Sequence, residues 1–156
     1  MDKLLRNYWL WSALGAWLIA QTTKIIIGFI QKKRRKLVTI LFGSGGMPSA
    51  HTAATVALTV SLVITHGIDS PFPIISAIMT LVIMTDATAV RFEAERHARF
   101  LNRMIEEKRE PLPEDGKPFK TSLGHTVLQV AVGFAIGVAT AIAFRFLPLF
   151  EFINHV

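Results

Sequence analysis

Hydrophobic residues along this chain are concentrated in four segments, separated by polar or turn-rich stretches. The segments are Tyr8–Ile30, Thr52–Thr65, Phe72–Val90 and Leu123–Leu147. A helix of roughly 20 apolar residues crosses the hydrocarbon core of a bilayer, and the second segment reaches that length only with its flanking turns. The pattern predicts an all-α integral membrane protein, a single domain over residues 1–156 with about four transmembrane helices. Three spans and one re-entrant helix are the alternative, because the second segment is short.

The third segment is predicted to continue as a helix beyond the membrane. Residues 91–107 contain neither glycine nor proline, and their charges alternate in sign. The stretch from Glu110 to Pro118 then holds three prolines and Gly116, which is typical of a loop. We therefore expect a helical cytoplasmic extension that ends near Glu107.

Composition also favours a membrane protein. Of the 156 residues, 51% are hydrophobic and only 18% are charged, and the mean hydropathy is +0.44, whereas a soluble domain of this size is less apolar. The absence of cysteine excludes disulfides, thiolate metal sites and a cysteine nucleophile. The first apolar segment continues past Ala20 without a cleavage site, so we interpret it as a retained span and not as a signal peptide.

The basic residues predict an orientation for the spans. Five Lys and Arg residues follow the first segment at residues 32–36, and eight lie between Arg91 and Lys120, whereas the connection at residues 66–71 has none. Cytoplasmic loops carry the excess of Lys and Arg. Both basic loops are therefore predicted to be cytoplasmic, with both termini and residues 66–71 outside. The expected location is a bacterial plasma membrane.

This orientation brings unusual polar residues from four segments to the cytoplasmic end of the bundle. They are Lys24, the glycine-rich stretch with His51, Asp86, Arg91 and His125. Charged groups within spans are costly, and they usually face a protein interior or a polar cavity. The convergence therefore predicts a functional site with its opening toward the cytoplasm.

The stretch from Gly43 to His51 carries the clearest chemical signal. Its glycines allow consecutive backbone N–H groups to converge on an anion such as phosphate. Pro48 suits the first turn of a helix, so the loop is predicted to lead into a helix N-terminus. His51 would stand beside the anion with a pKa suited to proton transfer. The simpler interpretation is a loop followed by a helix that Ser49 caps.

Structural explanations also exist for the other polar residues. Lys24 is close enough to the basic run to extend toward the interface. Asp86 and Arg91 would form an ion pair, although a spacing of five is long for neighbours on an α-helix. His125 would only cap a helix. His97 lies in a strongly charged stretch and is expected to be solvated.

The same residues resemble a known family. The resemblance involves Ala20-Gln21 with Lys24, Ser44 to His51, the turn His66 to Pro71, Asp86-Ala87 with Val90-Arg91, Leu101-Asn102, and Leu123 to Thr126 with Gln129-Val130. On these motifs the chain resembles the divergent, short branch of the type-2 phosphatidic acid phosphatase superfamily, which is related to the vanadium-dependent haloperoxidases. The resemblance covers most of the chain.

The resemblance implies a set of phosphate ligands. In the superfamily a Lys and an Arg of the first motif grip phosphate, and Lys24 with Arg34 or Arg35 matches them. The second motif, Pro-Ser-Gly-His, reads Pro48-Ser49-Ala50-His51 here. The implied phosphate-binding residues are Lys24, Arg34, Arg35, Gly45, Gly46, Ser49 and Arg91.

It also implies a pair of catalytic histidines. His51 matches the general acid that protonates the leaving oxygen. His125 is assigned as the nucleophile, because it begins a predicted membrane helix beside the other motifs. Gln129 stands where the superfamily has the aspartate that orients the nucleophile. A glutamine holds a histidine by hydrogen bonding but does not stabilise imidazolium as a carboxylate does.

The third superfamily motif has a second match in this chain. His97 follows Arg91 at the spacing of the superfamily's Arg and nucleophilic His, so His97 is the alternative nucleophile. With His125 as the nucleophile, Arg91 grips phosphate, and Asp86 orients Arg91 or a histidine.

The resulting prediction is a metal-independent membrane phosphatase for a lipid phosphate or diphosphate. Phosphatidic acid, phosphatidylglycerol phosphate and polyprenyl diphosphate are candidate substrates. The expected partners are the phosphorylated lipid and the membrane, with a homodimer as a further expectation, and neither a cofactor, a metal ion nor a nucleic acid is expected. The alternative is a phospholipid-binding or lipid-translocating protein without catalysis, which Gln129 and Ala50 favour.

Overall fold

The structure is a computed structural model, and it describes residues 7–30, 46–108, 113 and 116–147. Within these residues the secondary structure is helical, without a strand. The helices are α1 (Tyr8–Ile30), α2 (Ala50–His66), α3 (Pro71–Thr85), α4 (Arg91–Lys108) and α5 (Val127–Arg145), and a π turn (Asp86–Val90) joins α3 to α4. The predicted all-α membrane bundle is confirmed.

Three helices of the described chain are long and apolar enough to cross a membrane. They are Tyr8–Ile30, Pro71–Lys108 and Val127–Arg145, whereas α2 is apolar but shorter. The 38 residues of Pro71–Lys108 correspond to about 57 Å of helix, well beyond the roughly 30 Å of a hydrocarbon core. The polar second half therefore extends past the apolar layer.

Helix α5 begins four residues later than the hydrophobic pattern predicts. Thr126 is its N-cap: the Thr126 hydroxyl accepts from the Gln129 N–H at 3.4 Å, and the Gln129 Oε1 accepts from the Thr126 N–H at 3.2 Å. This reciprocal capping box provides acceptors for two N–H groups at the helix N-terminus, where no preceding turn supplies a carbonyl. His125 consequently lies just before the helix and not within its first turn.

Helix α2 is the centre of the bundle and packs against α1, α3 and α5. Small residues make this possible: a Cβ added at Gly133 would lie 2.5 Å from the Ser49 carbonyl oxygen, and one at Gly137 would lie 2.6 Å from that of Ala53. The buried core is correspondingly alanine-rich and consists of Ala16, Ala20, Ala50, Ala53, Ala57 and Ala141. Close packing by small residues is typical of membrane helices.

Side-chain hydrogen bonds define which helix ends lie together. The Trp9 indole donates to the Thr65 hydroxyl at 2.8 Å, which brings the beginning of α1 beside the end of α2. Helices α1 and α2 are therefore antiparallel. Lys24, in the second half of α1, lies toward the same end of the bundle as His51 at the start of α2.

Candidate active site

A polar cavity of about 240 Å³ lies at the end of the bundle where α2 begins. Three parts of the chain form it: the start of α2, the junction of α3 with the π turn, and the segment before α5. Its lining residues are Ser49, His51, Ala54, Thr55, Ile83, Asp86, Ala87, Arg91, Leu123 and His125. Two histidines, a guanidinium and a carboxylate thus surround one space.

The hydroxyl and the backbone N–H of Ser49 both stabilise the start of α2. Its hydroxyl caps the helix by accepting from the Thr52 N–H at 3.4 Å and bonds to the Thr52 hydroxyl at 2.9 Å. Its own N–H donates to the Gln129 carbonyl at 3.0 Å. Pro48 therefore precedes the N-cap residue Ser49. The expectation that Pro48 lies in the first helical turn is wrong. The N–H groups that the first turn does not use belong to Ala50 and His51.

The His125 ring has a defined tautomer. The Gln129 Oε1 accepts from the Thr126 N–H, so this atom is the amide oxygen. The Nδ1 of His125 lies 3.0 Å from the same oxygen, and an oxygen that only accepts requires Nδ1 to carry the proton. The His125 N–H donates to the Ala87 carbonyl at 2.9 Å and fixes the backbone.

The protonated form of His125 is disfavoured. Burial lowers the pKa of His125 below its ordinary value; the hydrogen bonds to Gln129 and to the backbone of Gly46 act against this shift, and the positive charge of Lys24 adds to it. Only 6% of the residue is exposed. The ring is therefore held neutral near pH 7, as a nucleophile requires.

The π turn explains the pairing of Asp86 with Arg91. The Arg91 Nε donates to the Asp86 carboxylate at 2.5 Å, and the Arg91 N–H bonds to the Asp86 carbonyl. A spacing of five is too long for an α-helix, but a π-helix aligns residues i and i+5. Of the two roles considered for Asp86, the contact to Arg91 is the one present. Both side chains remain partly exposed at the cavity.

Lys24 is a buried cation beside the cavity. Only 9% of Lys24 is exposed, and none of the ion pairs within the described ranges includes it. Gly46 lies over its side chain in the left-handed region, with φ +94°, and a Cβ there would contact the Lys24 methylenes at 3.6 Å. The ammonium acts electrostatically on both His51 and His125. A buried ammonium in this setting favours an anion as its counter-charge.

One predicted residue lies away from the cavity, and three others lie outside the described residues. His97 is exposed on α4 and does not line it. Arg34, Arg35 and Gly45 lie outside the described residues. No group of three His, Asp or Glu side chains suited to a metal ion occurs in the part of the chain that the structure describes.

Glu95 and Asn102 are site-supporting residues that the sequence reasoning missed. The Glu95 Oε2 accepts from the N–H groups of Leu123 and Gly124 at 3.0 and 3.1 Å. Asn102 exchanges two hydrogen bonds with the Phe119 backbone, at 2.9 and 2.8 Å. Asn102 belongs to one of the motifs of the family resemblance, but the resemblance assigns it no role. Glu95 lies in a charged stretch, and the sequence alone does not distinguish it from its neighbours.

A second, apolar cavity of about 280 Å³ lies between α2 and α3. Its lining residues are Thr55, Leu58, Leu62, Phe72, Ile75, Ser76 and Met79. Thr55 also lines the polar cavity. The two spaces are therefore neighbours, one polar and one suited to hydrocarbon.

Comparison with known proteins shows the family of the chain. A family profile described as "Divergent PAP2 family" matches residues 5–140. The chain belongs to this family. It is also 35% identical over 147 residues to the "Uncharacterized membrane protein YuiD" of Bacillus subtilis (strain 168), an alignment that covers 87% of this chain and 92% of the relative. No solved structure gave a significant match.

Family membership confirms the resemblance drawn from the sequence. The protein is a PAP2-related integral membrane protein, with apolar helices of spanning length. The Divergent PAP2 family profile ends at residue 140, so it includes every residue that lines the polar cavity.

Proposed function

We propose that this protein hydrolyses a phosphate or diphosphate ester of a membrane lipid, with His125 as nucleophile and His51 as general acid. The observation that carries the proposal is the single cavity at which His51, Arg91 and His125 meet. The buried Lys24 beside it supplies a second positive charge. Three separate parts of the chain bring these two histidines and the guanidinium together.

The cations account for binding of the phosphoryl group. Arg91 lines the cavity, and the positive charge of Lys24 acts on both histidines. The first turn of α2 contributes N–H groups and the positive end of its dipole. Charge-assisted hydrogen bonds of this kind stabilise the oxygens of a transferring phosphoryl group.

The histidines account for the chemistry. The Nε2 of His125 attacks phosphorus, and the bond from phosphorus to the lipid oxygen breaks. His51 donates its proton to that oxygen, so the lipid leaves as an alcohol or as a monophosphate. Water then attacks the phosphohistidine, His51 takes the proton from this water, and inorganic phosphate is released while His125 is regenerated.

The apolar cavity supports a lipid as the substrate. Thr55 lines both cavities, so a phosphate in the polar space would leave a hydrocarbon chain beside Leu58 and Phe72. The excess of Lys and Arg at residues 32–36 and 91–120 supports a cytoplasmic opening, and hence head groups of the inner leaflet.

Phosphate release by the purified protein in detergent tests the proposal. We expect hydrolysis of a long-chain phosphatidic acid, and inhibition by vanadate. Leu58→Trp fills the apolar cavity and should reduce hydrolysis of the long-chain lipid more than that of a short-chain analogue. Equal effects on both substrates would separate the apolar cavity from substrate binding.

A second candidate function is phospholipid binding without turnover. Gln129 favours it, because a neutral amide stabilises imidazolium less than the carboxylate of the superfamily does. Under this alternative the purified protein binds vanadate or phosphate but releases no phosphate from any lipid.

A further inference from the structure

The segment that carries His125 is attached to the long α3–α4 helix at three places. The His125 N–H bonds to the Ala87 carbonyl, the Leu123 and Gly124 N–H groups bond to Glu95, and the Phe119 backbone bonds to Asn102. We call residues 116–126 the His125 segment. It has no helix or strand of its own, so these contacts determine its path.

The π turn places the three attachment points on one face of the helix. Glu95 and Asn102 are seven residues apart, which is nearly two turns of an α-helix. Ala87 and Glu95 are eight apart, but a π turn contains about one residue more than an α turn. The eight residues therefore also span nearly two turns, and the His125 segment follows a straight line of contacts.

Glu95 makes the central contact with one oxygen atom. Its Oε2 accepts both N–H groups, while its Oε1 is paired with Arg99. The Glu95 side chain is only 13% exposed, against 51% for Glu93 on the same helix. Gly124 lies so close to the helix that a Cβ would be 2.5 Å from the Phe92 Cα. The carboxylate thus fixes the backbone that immediately precedes His125.

The protonation state of Glu95 suits this role. Burial raises the pKa of Glu95, but the hydrogen bonds from Gly124, Arg99 and Leu123 outweigh it and hold the pKa below the ordinary value. Glu95 is therefore a carboxylate at neutral pH, and both of its oxygens accept hydrogen bonds.

We propose that Glu95 is a positioning residue, which sets the place of the His125 ring through the backbone of Leu123 and Gly124. The role rests on the proposed function, since it concerns the nucleophile of that reaction. Glu95 touches neither the cavity nor the phosphoryl group. Its loss should therefore impair the chemical step and leave oxyanion binding intact.

Three variants test this role. Glu95→Ala removes both acceptors, whereas Glu95→Gln keeps a single amide oxygen that can accept both N–H groups. Glu93→Ala is the matched control, because Glu93 pairs only with Arg96 on the exposed face. The measurements are kcat and KM for phosphatidic acid, inhibition by vanadate, and hydrogen exchange of the Leu123 and Gly124 amides, which does not depend on turnover.

We expect Glu95→Ala to lower kcat by about 10²-fold, since a misplaced catalytic group costs on that order, with KM and vanadate inhibition within roughly 3-fold of wild type. Amide exchange at Leu123 and Gly124 should accelerate in Glu95→Ala. Glu95→Gln should restore most of kcat and of the protection, and Glu93→Ala should match wild type in every measurement.

The outcomes separate this role from the proposed function. A wild-type protein that releases no phosphate contradicts the proposed function. An active wild type with unchanged kcat in Glu95→Ala overturns the positioning role, as does unchanged amide exchange, whichever result hydrolysis gives. Equal loss of kcat and of vanadate inhibition would mean that Glu95 supports the whole cavity and does not position His125.

Discussion

Histidines occupy both ends of the bundle, and their surroundings differ in kind. His66, at the end of α2, has aromatic neighbours: its ring centroid is 4.9 Å from that of Trp9 and 5.2 Å from that of Phe72. Its Nδ1 bonds to the adjacent Thr65 hydroxyl. His51 and His125, at the other end, share a polar cavity with Arg91. The same side chain therefore packs against aromatic rings at one end and lines a polar cavity with Arg91 at the other.

The difference shows that environment, and not residue type, marks a candidate catalytic group. His66 packs against the aromatic rings of Trp9 and Phe72, whereas His125 is held by hydrogen bonds to Ala87, Gln129 and the backbone of Gly46. The predictions below test this contrast.

The largest expected effect is on turnover. His51→Ala and His125→Ala should each lower kcat by roughly 10²- to 10⁴-fold, the usual contribution of a catalytic acid or base. The double variant should be little worse than either single one, because the two groups act as a unit. His66→Ala should retain activity. Phosphate release by the purified variants is the measurement.

Two results would contradict that assignment. Comparable losses in His66→Ala would remove the contrast between the two ends. An inactive His97→Ala combined with an active His125→Ala would make His97 the nucleophile, despite its exposed position on α4.

A smaller effect is expected on oxyanion binding. Arg91→Ala should raise the vanadate concentration needed for half-inhibition by roughly 10- to 100-fold, since a hydrogen bond to a charged group contributes ~1.5–3 kcal/mol. Arg96→Ala is the control, because Arg96 pairs with Glu93 away from the cavity. If both variants bind vanadate like wild type, Arg91 is not a phosphate ligand.

A third prediction concerns pH. His125 must be neutral to attack, and its pKa is lowered by burial, so the acidic limb of the activity profile should lie below the ordinary histidine value of about 6.5. Gln129→Glu places a carboxylate beside the Nδ1 proton and stabilises imidazolium. The acidic limb of the kcat/KM profile should then move to higher pH by about one unit or more. An unmoved limb would mean that His125 does not titrate in the reaction.

The last prediction concerns the side of the membrane that two positions face, which cysteine labelling measures, and no change in activity is expected. The chain has no native cysteine, so Asp69→Cys and Lys117→Cys each carry a single thiol. An impermeant maleimide should label Asp69→Cys on intact cells and Lys117→Cys only after permeabilisation. The reverse pattern would place the polar cavity outside the cytoplasm.

The sequence predicts which residues lie at the same end of the bundle, but it does not predict the contacts that hold them there. Hydrophobic segment length and Lys/Arg asymmetry suffice to bring His51, Asp86, Arg91 and His125 toward one end of a bundle. The bounds of α1, Tyr8–Ile30, coincide with those of the first hydrophobic segment. These features depend on local composition, which is available without tertiary structure.

The remaining features depend on contacts between distant parts of the chain. In the π turn, the Ala87 carbonyl accepts a hydrogen bond from the His125 N–H. No local sequence pattern predicts this contact. The family resemblance predicts Ser49 as a phosphate ligand, but the Ser49 N–H donates a hydrogen bond to the Gln129 carbonyl of another helix. Glu95 could not be distinguished from its charged neighbours until the His125 segment lay against it.

The glycines of α5 have a consequence for the spacing of the reacting groups. Gly133 lies directly on the Ser49 carbonyl, one helical turn after Gln129, and Ser49 is two residues before His51. The backbone of α5 thus helps to set how far His51 lies from His125, the two histidines of the proposed reaction. A methyl group added at Gly133 would not line the cavity, yet it would press on the Ser49 carbonyl and push the start of α2 away from α5, so it should slow the proposed reaction.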